Sequence, residues 1–205
     1  MTRAAARGDS GQAFPVYIAV IGGLLFLAFA YFLVGQAALT RNSAQTAADA
    51  AALAAAQDAR NQLREGWIEV ILDPQQWERF VNGLDYSPGP ACRQAELFAA
   101  RNEAALTGEG CVPLSDGFRA TVTTRGRESH PATASAEAVL EPRCTFDPPA
   151  PTQEPTPPGP DEGDDEPDEE KPVVGLECDG EPWVIDPESP TLPDAADLFR
   201  VRLSD

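Results

Sequence analysis

The sequence predicts an α+β protein: a single N-terminal transmembrane helix continuing as a long Ala-rich helix, with a small antiparallel sheet and a Pro/acidic disordered loop. Three observations carry that class. The 31 residues between Asp9 and Arg41 hold no formal charge, 10 of the 16 residues at 44–59 are alanine, and two strand-like runs at 118–124 and 132–140 flank a polar turn. A tract at 148–172 then places nine prolines and nine acidic residues among 25. The 205-residue chain carries 33 acidic against 15 basic residues, a formal net charge of -18. A balance that acidic argues against a general binder of nucleic acid or anionic lipid, both of which require clustered cations.

The span comes first. Residues 16–34 include no side chain more polar than tyrosine, and a helix of that length measures roughly 28 Å, close to the ~30 Å hydrocarbon core of a bilayer. Pro15 stands where a first helical turn tolerates it, and Tyr17 and Tyr31 sit near the two ends. Gly35, Gln36 and Ala37 could pass for a signal-peptidase site, but a cleavable signal has an apolar region of only ~7–15 residues. A retained anchor at 15–38 is therefore expected, with residues 1–14 as a cytoplasmic N-terminus because Arg3 and Arg7 precede the span. The integrin tripeptide Arg7-Gly8-Asp9 would then lie in the cytoplasm. Ala19 and Gly23 form a small-xxx-small pair through which another helix could approach.

Nothing between the span and Arg64 breaks a helix, and alanine has the best intrinsic propensity. One helix is expected over 15–64, roughly 75 Å long. Ala44, Ala48, Ala51, Ala55, Ala59 and Leu63 make a row at helical spacing, with Gln45, Asp49, Arg60 and Arg64 facing elsewhere. A row so small contributes little buried area; its use is close approach. The surface approached can be the chain's own sheet or another molecule in a packed assembly.

Gly11, Gln12 and Ala13, one apolar span, and then the run Gln45-Thr46-Ala47-Ala48-Asp49-Ala50-Ala51-Ala52-Leu53-Ala54 together resemble the TadE/TadG-like proteins of Flp (tight adherence) pilus assembly. The resemblance covers residues 8–64. It implies a membrane-anchored, pseudopilin-like and non-catalytic component, with an extracytoplasmic domain at 39–147. Its partners would be other Tad/Flp assembly components or pilin, with the membrane and without nucleic acid, cofactor or small-molecule substrate. Precursors cut by a prepilin peptidase carry Glu five residues after the cut glycine. Val16 stands five residues after Gly11 here, so an uncut assembly factor is expected over a fibre subunit.

In the external domain, residues 74–83 read as a short amphipathic helix with Trp77, Phe80 and Val81 on one face and Gly83 as its stop. A second helix is expected over 91–106, with Leu97, Phe98, Ala104 and Ala105 toward a core and Gly108 and Gly110 ending it. The strands at 118–124 and 132–140 make a hairpin around Gly126 and Pro131. Cys92, Cys111, Cys144 and Cys178 all lie beyond the span and none forms a CxxC pair, which points to disulfides in an oxidising exterior and away from zinc. Three pairings are open; Cys92 with Cys111 and Cys144 with Cys178 is favoured. The first would staple the second short helix to the sheet. The second would turn the Pro/acidic tract at 148–172, which alone could reach roughly 75 Å, into a tethered loop. A C-terminal segment at 173–205 is expected to pack back on the domain, with edge strands at 182–186 and 198–203.

No catalytic arrangement emerges. His130, the only histidine, sits in a turn beside Ser129, and the only lysine, Lys171, lies in the acidic tract, where residues 161–170 do not fit an EF-hand loop. Two further classes remain beside pilus assembly. A surface adhesin or wall-spanning protein would use the tract as a spacer; a secreted hydrolase would begin near Ala38.

Overall fold

The computed structural model describes residues 13–126, 131–147, 173–185 and 191–204. The expectations placed on residues 1–12, on Ser129 and His130, on the tract at 148–172 with Lys171, and on Asp186 lie outside the described residues.

Helix α1 (Ala13–Glu69) runs unbroken for 57 residues, five beyond the expected end at Arg64. Its rise makes it roughly 85 Å long. It stops where its last turn tightens, with the Val70 and Ile71 amides donating to the Trp67 and Ile68 carbonyls at 3.1 and 3.3 Å. Asp73 then accepts from the Gln75 amide at 3.3 Å and the Gln76 side chain at 2.6 Å, seeding a single 3-10 turn, Pro74–Gln76. Helix α2 (Trp77–Val81) follows, shorter than the 74–83 helix expected, and Gly83 closes it at a φ of +73°. Trp77 packs edge-on to Trp67 with ring centroids 5.2 Å apart, and its Nε1 donates to the Val70 carbonyl at 3.0 Å. The chain reversal is thereby locked at both ring and backbone.

Helix α3 (Pro88–Arg101) starts with proline in its first turn and runs back along α1. It is tied at its start by the Ser87 amide donating to Gln62 Oε1 at 2.9 Å. The expected 91–106 helix is corrected here in both extent and face. The helix ends at Arg101, Asn102 closes it, Glu103 turns the chain at a φ of 54°, and Ala104 already belongs to a strand. Ala91, Ala95 and Ala99 form the buried row, while Leu97 is 51% exposed and Phe98 lies at the boundary under the Arg101 guanidinium, 4.9 Å from its ring centre. Gly108 and Gly110 do not end an element. They sit at positive φ inside strand β1 (Ala104–Leu114), where the register to its neighbour slips between Leu106 and Cys111.

Two antiparallel sheets follow. The larger has the order β1, β2 (Gly117–Thr124), β3 (Thr133–Pro142), β7 (Phe199–Leu203). Its centre is the hairpin expected from the alternating pattern. Phe118, Ala120 and Val122 of β2 stand beside Ala138, Ala136 and Ala134 of β3, facing α1. The opposite face pairs Arg119 with Glu137 at 2.6 Å, Thr121 with Ser135 at 2.8 Å and Thr123 with Thr133 at 2.9 Å. Small residues on the inner strands and on the helix let α1 lie close over the sheet. The smaller sheet joins β4 (Cys144–Phe146), β5 (Val173–Cys178) and β6 (Glu181–Ile185). Phe146 packs its ring 5.0 Å from that of Trp77. A short helix α4 (Ala195–Leu198), capped by Asp194 and Asp197 in a reciprocal box, leads into β7. The edge strand expected at 198–203 thus begins one residue later, after a helix.

Gly117 opens β2 at a point with no room for a side chain, because a Cβ there would fall on the Ala138 carbonyl oxygen in the neighbouring strand. Gly117→Ala should therefore lower stability by about 1 to 3 kcal/mol or more. Urea unfolding followed by tryptophan fluorescence measures this; a wild-type midpoint would contradict the β2–β3 register.

Candidate functional site

Helix α1 has two halves of opposite circumstance. Phe14, Val16, Tyr17, Leu24, Leu25, Phe26, Phe29, Phe32 and Val34 are all exposed, and the most apolar 18-residue stretch, with a mean hydropathy of 2.4, has no buried residue. Among the described residues this is the one helix long and apolar enough to cross a membrane. A core helix of that composition would be covered by its own protein. Burial begins at Thr40, whose hydroxyl donates to the Gln36 carbonyl at 3.0 Å.

The packing residues split along the same line. Ala19 and Gly23 are exposed, with no atom within 4 Å of where a Gly23 Cβ would stand. Ala44, Ala48, Ala51 and Ala55 are completely buried, inside the layer where α1 meets α3, β2, β3 and β7. The surface that the alanine row approaches is thus the chain's own. The face of α1 left to solvent in this half carries Gln57, Asn61, Glu65 and Glu69. Of the polar residues expected to face elsewhere, Arg60 is part-buried with its Nε enclosed, and Arg64 donates from Nε to the Pro193 carbonyl at 2.9 Å.

The cysteines join as Cys92 to Cys111, with Cα atoms 5.5 Å apart, and Cys144 to Cys178, at 4.0 Å. The first ties α3 to the irregular part of β1. The second links directly paired positions of β4 and β5. Beside it lies a polar joint without a clear sequence signal: Arg143 pairs with Asp179, donates from Nη1 to the Ala196 carbonyl at 2.8 Å and from its amide to the Leu198 carbonyl at 2.9 Å, and accepts at its carbonyl from the Asp179 amide at 2.9 Å. It joins the smaller sheet to the C-terminal return.

Two hollows among the described residues are small. One, lined by Asn61, Arg64, Glu65, Asp194 and Ala195, has a volume of about 220 Å³; another, lined by Tyr86, Asp116, Gly117 and Leu140 among others, about 80 Å³. Sites for small molecules run from roughly 300 Å³ upward. Burial, with the Asp116 carboxylate, pushes the Tyr86 phenol up from its ordinary value, and the hydrogen bond from Arg202 holds the exposed Glu141 below the usual carboxylate range. Among the described residues no three His, Cys, Asp or Glu side chains gather as metal ligands.

No curated protein and no solved structure matches the chain. A family model does match, over less than a quarter of the length. From the base of the apolar half of α1 into its buried alanine row, residues 11–58 match the family described as "Putative Flp pilus-assembly TadE/G-like", so this chain carries a TadE/G-like region that points to Flp/Tad pilus assembly.

Proposed function

We propose that this protein is a membrane-anchored, pseudopilin-like component of Flp/Tad pilus assembly, non-catalytic and acting through helix and domain packing. The observation that carries the reading is the single helix α1, whose first half is apolar and bare while its second half is the buried spine of a disulfide-linked domain. Two disulfides favour an oxidising exterior for the domain, and Arg3 and Arg7 favour a cytoplasmic N-terminus. The partners are other assembly components or pilin. With the alanine row occupied internally, they would meet the bare half of α1 around Ala19 and Gly23, and the outer surface of the domain.

The spacer reading of an adhesin loses support from one feature. The Pro/acidic tract leaves after Asp147 and returns before Val173, where the Asp147 amide donates to the Gly175 carbonyl at 2.9 Å beside the Cys144–Cys178 bridge. A tract pinned at both ends in one place cannot hold a domain at a distance.

The test is a clean deletion with plasmid rescue, joined to intact-mass measurement on isolated membranes. Loss of surface fibres on deletion, their return on rescue, and an uncut chain retained in membranes are expected. Normal fibres in the deletion strain would sink the proposal, and release of a chain beginning near Ala38 would remove the anchor.

A further inference from the structure

We propose that the end of the domain facing the apolar half of α1 is a docking surface for anionic lipid headgroups, formed by Arg41, Arg101 and Arg125. The proposal rests on the membrane-anchored reading above. Three elements deliver these arginines to one end. Gln45 of α1 reaches the Ser135 carbonyl at 3.5 Å, which sets the start of β3 beside the first turns of the buried half of α1. The far end of β3 lies by Gly83, whose Cβ position is 3.9 Å from Leu140, so the strand points away from the apolar half. Thr123 pairs with Thr133, and Arg125 lies two residues further toward the apolar half. The Arg125 amide in turn donates to the Glu103 carbonyl at 2.6 Å, which brings in the C-terminal end of α3 and Arg101. Arg41 leaves α1 next to Thr40, the first buried residue.

All three arginines are exposed, and no carboxylate pairs with them among the described residues. Thr40 lies six residues beyond Val34, about 9 Å along the helix. A bilayer adds roughly 5 to 8 Å of headgroup on each side of its hydrocarbon core, so with residues 16–34 in that core Thr40 stands just outside the outer edge of the headgroup layer.

The chain as a whole is strongly acidic, and screening decides which charge the lipid meets. The Debye length is about 8 Å at physiological salt. Arg41 is within about that distance of the headgroups, whereas Glu65 lies about 46 Å along α1 from Val34 and is screened out. Near this end the described charge is three arginines against Glu103, with the exposed Glu96 about 7.5 Å further along α3 from Arg101. Each such arginine is worth about a fivefold preference for an anionic surface, on the order of a hundredfold for the three before the nearby glutamates are deducted.

The full chain in lipid nanodiscs carrying a headgroup nitroxide provides the test, read as paramagnetic broadening of the Glu103 and Arg125 amide signals. Stronger broadening is expected in discs with about a third phosphatidylglycerol than in pure phosphatidylcholine discs, since the attraction requires an anionic surface. It should weaken at high salt and lose most of its lipid dependence in R41Q/R101Q/R125Q, with the remaining spectrum retained as proof of folding. Equal broadening in both lipids would overturn the proposal, as would broadening that tracks the number of chains per disc, which would make a second copy the occupant. Rapid solvent exchange of residues 16–34 in the discs would instead overturn the anchor, and this proposal with it.

Discussion

Ala51→Leu combined with Ala55→Leu is expected to destabilise the domain by about 2 to 6 kcal/mol, each insertion into a packed layer costing about 1 to 3. Helix propensity cannot be the cause, because leucine forms helix nearly as well as alanine. The cost comes from space. Both positions are fully buried where α1 meets α3 and the larger sheet, and α3 and β3 bring small residues to that layer: Ala91, Ala95 and Ala99 on α3, Ala136 and Ala138 on β3. Neither surface can retreat freely, since α3 is stapled to β1 by Cys92–Cys111 and β3 is held between β2 and β7. Against a typical total of roughly 5 to 15 kcal/mol, the double variant removes a large share of the stability. Gln57→Leu and Asn61→Leu, on the exposed face of the same helix, should stay within about 0.5 kcal/mol of wild type. Denaturant unfolding of the full chain, read by the buried Trp67 and Trp77, separates the two faces. An unchanged midpoint for the double variant would mean that the alanine row does not seat on its own domain and is free for another molecule.

That question could not be answered from the row itself, and the reason is physical. Alanine spacing marks which face of α1 is close-packed, but an alanine contact looks the same whether the other side is the chain's own sheet or a neighbour. The β2–β3 hairpin was legible because its alternation of Phe118, Ala120 and Val122 with Arg119, Thr121 and Thr123 is a local, period-2 signal. Strand β1 was not. Ala104, Ala105 and Leu106 favour helix by propensity, and Gly108 and Gly110 read as a stop. Pairing with Thr124, Thr123 and Val122 of β2 overrides both signals. Strand β4 is three residues long and depends on a partner beyond the acidic tract, so no window of neighbouring residues contains its cause. The candidate site shows the same contrast. The bare span and the four cysteines could be read directly, whereas the Trp67–Trp77–Phe146 contact and the Arg143–Asp179 joint require the folded chain to exist.

Replacing Cys144 and Cys178 by serine should remove about 4 kcal/mol, against about 3 for the Cys92–Cys111 pair, because the closed loops span 34 and 19 positions. The larger loss should also be local. The ladder that β4 forms with β5 covers only three residue pairs, one of them the bridged pair itself. Between those strands lies a tract whose nine acidic residues repel one another and, once the bridge is gone, drive its ends apart. The four-stranded sheet has no such load, since β2 ends at Thr124, β3 begins only nine positions later at Thr133, and both are covered by α1. Hydrogen exchange should therefore rise sharply at 173–185 and change little at 117–124 and 133–140. Raising the salt to about 1 M, where the Debye length is about 3 Å, should restore part of the lost protection by screening the tract. Unchanged protection at 173–185 would show that the ladder holds without the bridge. With the bridge cut and β5 released, the tract becomes the extended spacer that the native pairing prevents. The reduced-loop variant therefore also asks whether fibre assembly depends on a closed loop at the end of the domain away from the apolar half of α1.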